Sequence, residues 1–167
     1  TLSIWKSAAG VSVKLVVAKS LAGDGVLVLN ADDPLLVSRA PAMSPRRIGW
    51  FALDLATARA QGTLACGVRD ARLILATDTG EHDLGAVAAM PLTLDGSARY
   101  NIANIAGVAL AASAMDVPAA TIAPVLARFG SAHADNPGRL QRWRLGDVDV
   151  LLDYAHNAEG LRGLLQV

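Results

Sequence analysis

The sequence predicts an α/β fold, a sheet flanked by helices, and three observations carry that expectation. Val26-Leu27-Val28-Leu29 is an unbroken β-branched and aliphatic run of strand length, the pattern of a strand covered on both faces. Between Arg46 and Leu94, short apolar runs are separated by turn signals such as Thr77-Asp78-Thr79-Gly80, as in a meandering sheet edge or hairpin. From Asn101 onward two apolar segments of helical length follow, divided by Asp116-Val117-Pro118.

In chain order, Ser3 to Leu21 carries apolar residues at mixed helical spacing (Ile4, Ala8, Val11, Leu15, Ala18) and predicts a helix weakened by Gly10 and three valines. Gly23-Asp24-Gly25 ends it, because the turn needs flexible φ. After the Val26 to Leu29 strand, Asn30-Ala31-Asp32-Asp33-Pro34 breaks the run at a carboxyl strand end, where open α/β sheets place ligands. Further strands are expected over Ile48 to Leu53, Gly62 to Val68, Arg72 to Ala76 and Leu84 to Met90. Helices are expected over Asn101 to Met115 and Ala119 to Phe129, the second favoured by Pro118 at its start. A loop, Gly130 to Gly138, leads to strands Arg139 to Leu145 and Val148 to Tyr154, joined at Gly146-Asp147. The shift in composition over Ser131 to Gly138 marks the best domain boundary. Leu161, Leu164 and Leu165 begin a further helix at the end of the chain, so the sequence reads as a piece of a longer protein.

With 15 Lys+Arg against 15 Asp+Glu in 167 residues, the net charge is zero. That gives no field to draw in nucleic acid or an anionic membrane, and neither is expected as a partner. The hydrophobic share is 53% and the mean hydropathy +0.37. Yet the longest uncharged helical stretch, Ile102 to Met115, falls short of the roughly 18 residues a span needs, and reads as a buried helix. Cys66 is the single cysteine, which excludes an internal disulfide and points to a small packed hydrophobe. No basic-then-apolar leader begins at Thr1, so the cytoplasm is the expected compartment.

Four places hold polar groups that a packed core would not need. Lys14 sits in an apolar stretch beside Val13, Leu15 and Val16, where it either snorkels to solvent or serves chemistry. The Asn30 to Pro34 loop either lines a site or caps the next helix. Asn101 and Asn104, three apart, share one face near a helix start. Asparagine offers a donor and an acceptor together, which suits an adenine edge, while capping by Asn101 alone would leave Asn104 unexplained. Lastly, Asn136-Pro137-Gly138-Arg139 and Asp153-Tyr154-Ala155-His156-Asn157 pair an arginine after a tight turn with an acid at a strand end. The arginine could stabilise a transferring phosphoryl group and the acid could accept ribose hydroxyls; a surface arginine and a helix cap are the plainer alternatives. His82 and His133 read as loop histidines, with no zinc-ligand spacing. In Arg142-Trp143-Arg144 the strand alternation puts Trp143 opposite the arginines, as a core side chain.

In order and spacing, Asn-Ala-Asp-Asp-Pro, Ala-Arg-Tyr-Asn-Ile-Ala-Asn, Asn-Pro-Gly-Arg-Leu and Asp-Tyr-Ala-His-Asn resemble the Mur ligase family, and within it the Mur-ligase-like region of the cyanophycin synthetases. The resemblance runs from about Lys14 to Leu165, with Met43 to Met90 supported only by strand pattern. It implies that residues 1–130 are the later part of a P-loop-type central ATPase domain, a mixed sheet flanked by helices. Residues 131–167 would then open a Rossmann-like C-terminal domain, truncated here. The implied activity is ATP-dependent amide ligation: a small-molecule or peptide carboxylate is phosphorylated, and an amino acid's amine attacks the acyl phosphate.

By the same resemblance, Lys14 matches a lysine that many members carry as a carbamate, an oxygen ligand for Mg²⁺, with Lys19 the competing candidate. Asn101 and Asn104 match asparagines near the nucleotide, Asn104 for adenine. Arg139 matches an arginine that reaches the ATP phosphates, and Asp153 the acid near the ribose; Tyr154, His156 and Asn157 would line the same cleft, with Asp32 and Asp33 as structural support. The departures are a missing Gly-x-x-Gly-Lys-Ser/Thr loop, missing upstream acidic and histidine metal-site residues, and Ala158 in place of the usual proline. The chain by itself is therefore expected to be inactive, and a catalytically silent Mur-like module that binds a nucleotide or partner is the alternative.

Overall fold

A computed structural model describes residues 15–156 and 158–167. A 3-10 helix, Leu15–Ser20, leads to strand β1 (Val26–Asn30) and helix α1 (Pro34–Arg39). A 3-10 turn (Ala40–Met43), β2 (Arg47–Asp54) and α2 (Leu55–Arg59) follow. Then come β3 (Ala65–Arg69), β4 (Arg72–Thr77) and β5 (Gly80–Ala86). Two 3-10 turns, Val87–Ala89 and Pro91–Thr93, precede α3 (Arg99–Ala114) and α4 (Ala119–Leu126). The hairpin β6 (Gln141–Leu145) and β7 (Val148–Leu152) and helix α5 (Ala158–Leu164) complete the described chain. The expected α/β fold with a mixed, helix-flanked sheet is the one observed.

The main sheet has the order β1-β2-β3-β4-β5, parallel from β1 to β3 and antiparallel from β3 to β5. Its continuous apolar runs are explained by two cores, one on each face. Leu29, Trp50, Ala65 and Ala76 form a cross-strand row that packs with Leu15, Ala18 and Leu55. On the other face Cys66 and Leu75 lie side by side under Ile102, Ala106, Leu110 and Ile122 from α3 and α4. Glycine lets α3 approach β2: a Cβ at Gly49 would stand 3.2 Å from Leu110, and one at Gly107 3.2 Å from the Phe51 ring.

Several expectations need correction. The described end of the first expected helix is 3-10 rather than α, at a point where β-branched Val16 and Val17 adjoin; residues 1–14 of that segment lie outside the described residues. Helix α2 was not foreseen, because five residues are too few to show a period; Asp54 caps it, accepting from the Ala56 N–H at 2.8 Å. The fifth strand spans Gly80–Ala86 rather than Leu84 to Met90. Its polar start faces outward on a sheet edge, where Glu81 pairs with Arg69 and Asp83 with Arg72. At Gly85 (φ +119°) the strand bulges, so Leu84 falls between the β4 partners Leu73 and Ile74 and points into the core. Helix α3 buries one face only, since Val108 is exposed, as is Met115 just beyond its end. No described helix is long and apolar enough to cross a membrane.

The C-terminal end of α3 (Ser113, Ala114) lies beside the starts of β1 and β2 (Val26, Arg47). Helix α3 thus runs back along the parallel strands, and its first turn points toward their carboxyl ends, the ligand side of an open α/β sheet.

Candidate functional site

At that first turn Tyr100, Asn101 and Asn104 project on neighbouring positions of α3. They face Asn136 and Arg139 from the turn before β6, and Asp153, Tyr154 and His156 after β7, across a cleft of about 310 Å³. Two stretches more than thirty residues apart in sequence therefore meet at one place, and six of the eight residues singled out from sequence line it. Lys14 and Asn157, the other two, lie outside the described residues.

The arginine turn is tightly made. Gly138 (φ +69°) and Leu140 (φ +46°) take left-handed conformations, and the Gly138 N–H donates to Gln141 Oε1 at 3.0 Å. The Leu140 N–H donates to Asp153 Oδ2 at 2.8 Å, so the carboxylate after β7 pins the backbone next to Arg139. The Arg139 guanidinium carbon stands 5.0 Å from the centre of the Tyr154 ring, within cation–π range. His156 Nδ1 donates to the Tyr154 carbonyl at 3.0 Å, leaving Nε2 as the other ring nitrogen, and the His156 and Tyr154 rings lie 5.1 Å apart.

On the α3 side, Asn101 is not a helix cap. Residue Ala98 occupies that position without a side-chain bond, and Asn101 Nδ2 donates to the Leu92 carbonyl at 2.8 Å, tying α3 to the preceding 3-10 turn. Asn104, one turn on, is exposed at the cleft. Tyr100 and Asn136 also line the cleft, and their places inside the same motifs, beside Asn101 and Arg139, are the sequence signal for them. The Tyr100 hydroxyl is buried with no hydrogen-bond partner among the described residues. Burial and the nearby Asp153 charge, against a smaller opposing effect of Arg139, push its pKa up to about 12. Gly163 of α5 lies on the ring: a Cβ there would stand 2.9 Å from it.

Other candidates fall elsewhere. Lys19 is exposed and borders a separate hollow with Arg39 and Met43. Asp33 caps α1 through the Leu35 N–H at 3.0 Å, and Asp32 accepts from the Leu53 N–H at 2.8 Å, joining the end of β1 to β2. These are the structural roles expected of the pair, but neither carboxylate lines the cleft. Trp143 is not a core residue: 43% of it is exposed, and its ring stacks on His133 at 4.0 Å and 7°. His133 is correspondingly more than a loop histidine, since its Nε2 also donates to the Arg142 carbonyl at 3.0 Å. Among the described residues, no three His, Cys, Asp or Glu side chains gather to hold a metal ion. Those residues do not fit a Mg²⁺ site by themselves.

The mixed, helix-flanked sheet that carries this cleft has a counterpart of known structure. The fold matches the structure of a pseudomurein peptide ligase type C from Methanothermus fervidus with a TM-score of 0.62, over 95% of this chain and 36% of that one, at 19% identity. In sequence the chain is 32% identical over 151 residues to a cyanophycin synthetase of Trichormus variabilis, covering 87% of this chain. It is 33% identical over 156 residues to a cyanophycin synthetase of Crocosphaera subtropica, covering 89%. No protein-family model matches the sequence. In sequence the chain is a homologue of one region of the cyanophycin synthetases, and it spans 17% of the length of these relatives.

Proposed function

We propose that this chain is the nucleotide-facing segment of an ATP-dependent amide ligase of cyanophycin-synthetase type. The observation that supports it is the meeting of Asn101, Asn104, Arg139, Asp153, Tyr154 and His156 around one cleft. In this reading, residues 1–130 belong to the central ATPase domain and residues 131–167 open the C-terminal domain, so ATP binds between the two. Asn104 reads the adenine edge with a donor and an acceptor together. Asp153 accepts from the ribose with its second oxygen, the first being held by Leu140. Arg139, its backbone fixed by that bond and its guanidinium beside the Tyr154 ring, presents a positioned positive charge to the phosphates. Tyr154, His156 and Asn157 complete the wall.

The chemistry is the phosphorylation of a small-molecule or peptide carboxylate with release of ADP. An amino acid's amine then attacks the acyl carbon, the C–O bond to phosphate breaks, and the nitrogen loses its proton. Mg²⁺ is the expected metal for ATP, and a carbamate on Lys14 would offer it an oxygen ligand; the described residues carry no step through it.

The test is phosphate release, dependent on added amino acid, by the natural protein that contains this segment. Loss of a charge-assisted contact of roughly 1.5–3 kcal/mol corresponds to about a 10- to 100-fold fall in kcat/KM for Arg139→Ala, and Asn104→Ala should raise the KM for ATP. Wild-type values for both variants would remove this site assignment. A silent binding module is the second reading, and a degenerate Gly-x-x-Gly-Lys-Ser/Thr loop upstream of this segment in the natural protein would favour it. Nucleotide binding without turnover in the natural protein would establish that reading instead.

A further inference from the structure

The Tyr100 hydroxyl is the one buried side-chain polar atom without a partner among the described residues. Such a group is costly, and a phenylalanine would fill the same space without the cost, so the hydroxyl needs a state in which it is bonded. Its acceptor is close at hand. Asp153 lines the same cleft, its charge is felt at the phenol, and among the described residues only its Oδ2 is occupied, by the Leu140 N–H at 2.8 Å. Gly163 packs against the ring, where a Cβ would stand 2.9 Å from it.

We infer that Tyr100 is a positioning residue: when a nucleotide occupies the cleft, its hydroxyl donates to Asp153 Oδ1, which has one lone pair for the phenol and one for the ribose, and fastens the start of α3 to the strand end after β7. This rests on the nucleotide reading above. The linkage runs through the backbone. A phosphate drawn to Arg139 moves the turn that contains Leu140; the Leu140 N–H carries Asp153 with it; and Asp153 closes on Tyr100. The phenol stays protonated far above neutral pH, so it is a donor throughout.

Calorimetric titration of ADP into the natural protein, its Tyr100→Phe and Asp153→Asn variants and the double variant tests this. In the Asn variant the single carbonyl oxygen goes to Leu140 and the amide N–H₂ faces the phenol, so the charge-assisted bond that the hydroxyl donates to a carboxylate is lost. The Tyr100→Phe change should weaken ADP about tenfold in the wild-type background and less than twofold in the Asp153→Asn background, the signature of a coupled pair. The free Tyr100→Phe protein should melt no lower than wild type, because the Tyr100 hydroxyl makes no bond to a described residue before ligand arrives. Equal losses in both backgrounds would mean that the phenol touches the ligand itself, and would overturn the inference. So would no loss in either background, or a lower melting temperature for free Tyr100→Phe. Failure of the wild-type protein to bind ADP would overturn the nucleotide reading instead.

Discussion

Cys66 shows how the sheet disposes of reactive chemistry. The thiol is wholly buried on β3 beside Leu75, and burial pushes its pKa up to about 12, against a smaller lowering by the Gly67 backbone. Since the thiolate is the nucleophile, the folded protein should resist iodoacetamide at pH 8 and react once unfolded in urea; labelling of the native thiol at the rate of a free one would contradict the burial. The same shift makes stability depend on pH. The folded state holds the proton more tightly than the unfolded chain, so stability is intact below pH 9 and falls as pH rises toward 12; Tyr100 acts in the same direction from pH 10. Urea titrations at pH 7, 9 and 10.5 should show that decline. At this scale the packing of Cys66 was legible, because a lone small sulfur in a strand has little else to do. Trp143 was not: alternation tells which side of a strand a residue takes, but not whether that side is covered, and here the ring stacks on His133 yet stays 43% exposed.

The strands written in continuous apolar residues, β1 and β4, were legible because both their faces are buried. Strand β5 was displaced in the reading because its first residues are charged, and the sheet edge satisfies them with ion pairs that no local pattern announces. Helix α2 went unread, yet it sets a tight constraint. A Cβ on Gly67 of β3 would fall 2.7 Å from both the Cα and the N of Leu55 in α2, and a backbone cannot step aside as a side-chain tip can. Gly67→Ala should therefore cost about 2 kcal/mol, seen as a Tm lower by about 4–8 °C. Gly23, in a turn with nothing within 4 Å of its Cβ position and no unusual φ, is the control: Gly23→Ala should stay within about 0.5 kcal/mol of wild type. Equal melting temperatures for the two variants would mean that α2 does not rest on β3 as described.

Across the molecule, size and chemistry point to different ends of the sheet. The hollow bounded by Arg47, Thr77, His82 and Asp116, at about 390 Å³, is larger than the cleft at α3, but its arginine is already paired with Asp78. The cleft at the start of α3 is smaller, at about 310 Å³; among the described residues its Arg139 is in no ion pair and its Asp153 has one oxygen without a partner, and Asn104 is exposed there. Its members were legible singly, as ordered motifs; that Asp153 holds the arginine turn by a backbone bond thirteen residues away was not, because only the folded hairpin creates that contact. Ligand should then leave its mark at one end. Amide hydrogen exchange on the natural protein should show the exposed β6–β7 hairpin opening more readily than the doubly covered β3 and β4. Saturating ADP should slow exchange over residues 136–156 and the first turn of α3, and leave residues 77–82 unchanged. Because both ends belong to one sheet, a general stabilisation would slow the two together. Protection confined to residues 77–82 would move the nucleotide to the larger hollow, whereas protection confined to the α3 end identifies local contacts as its cause.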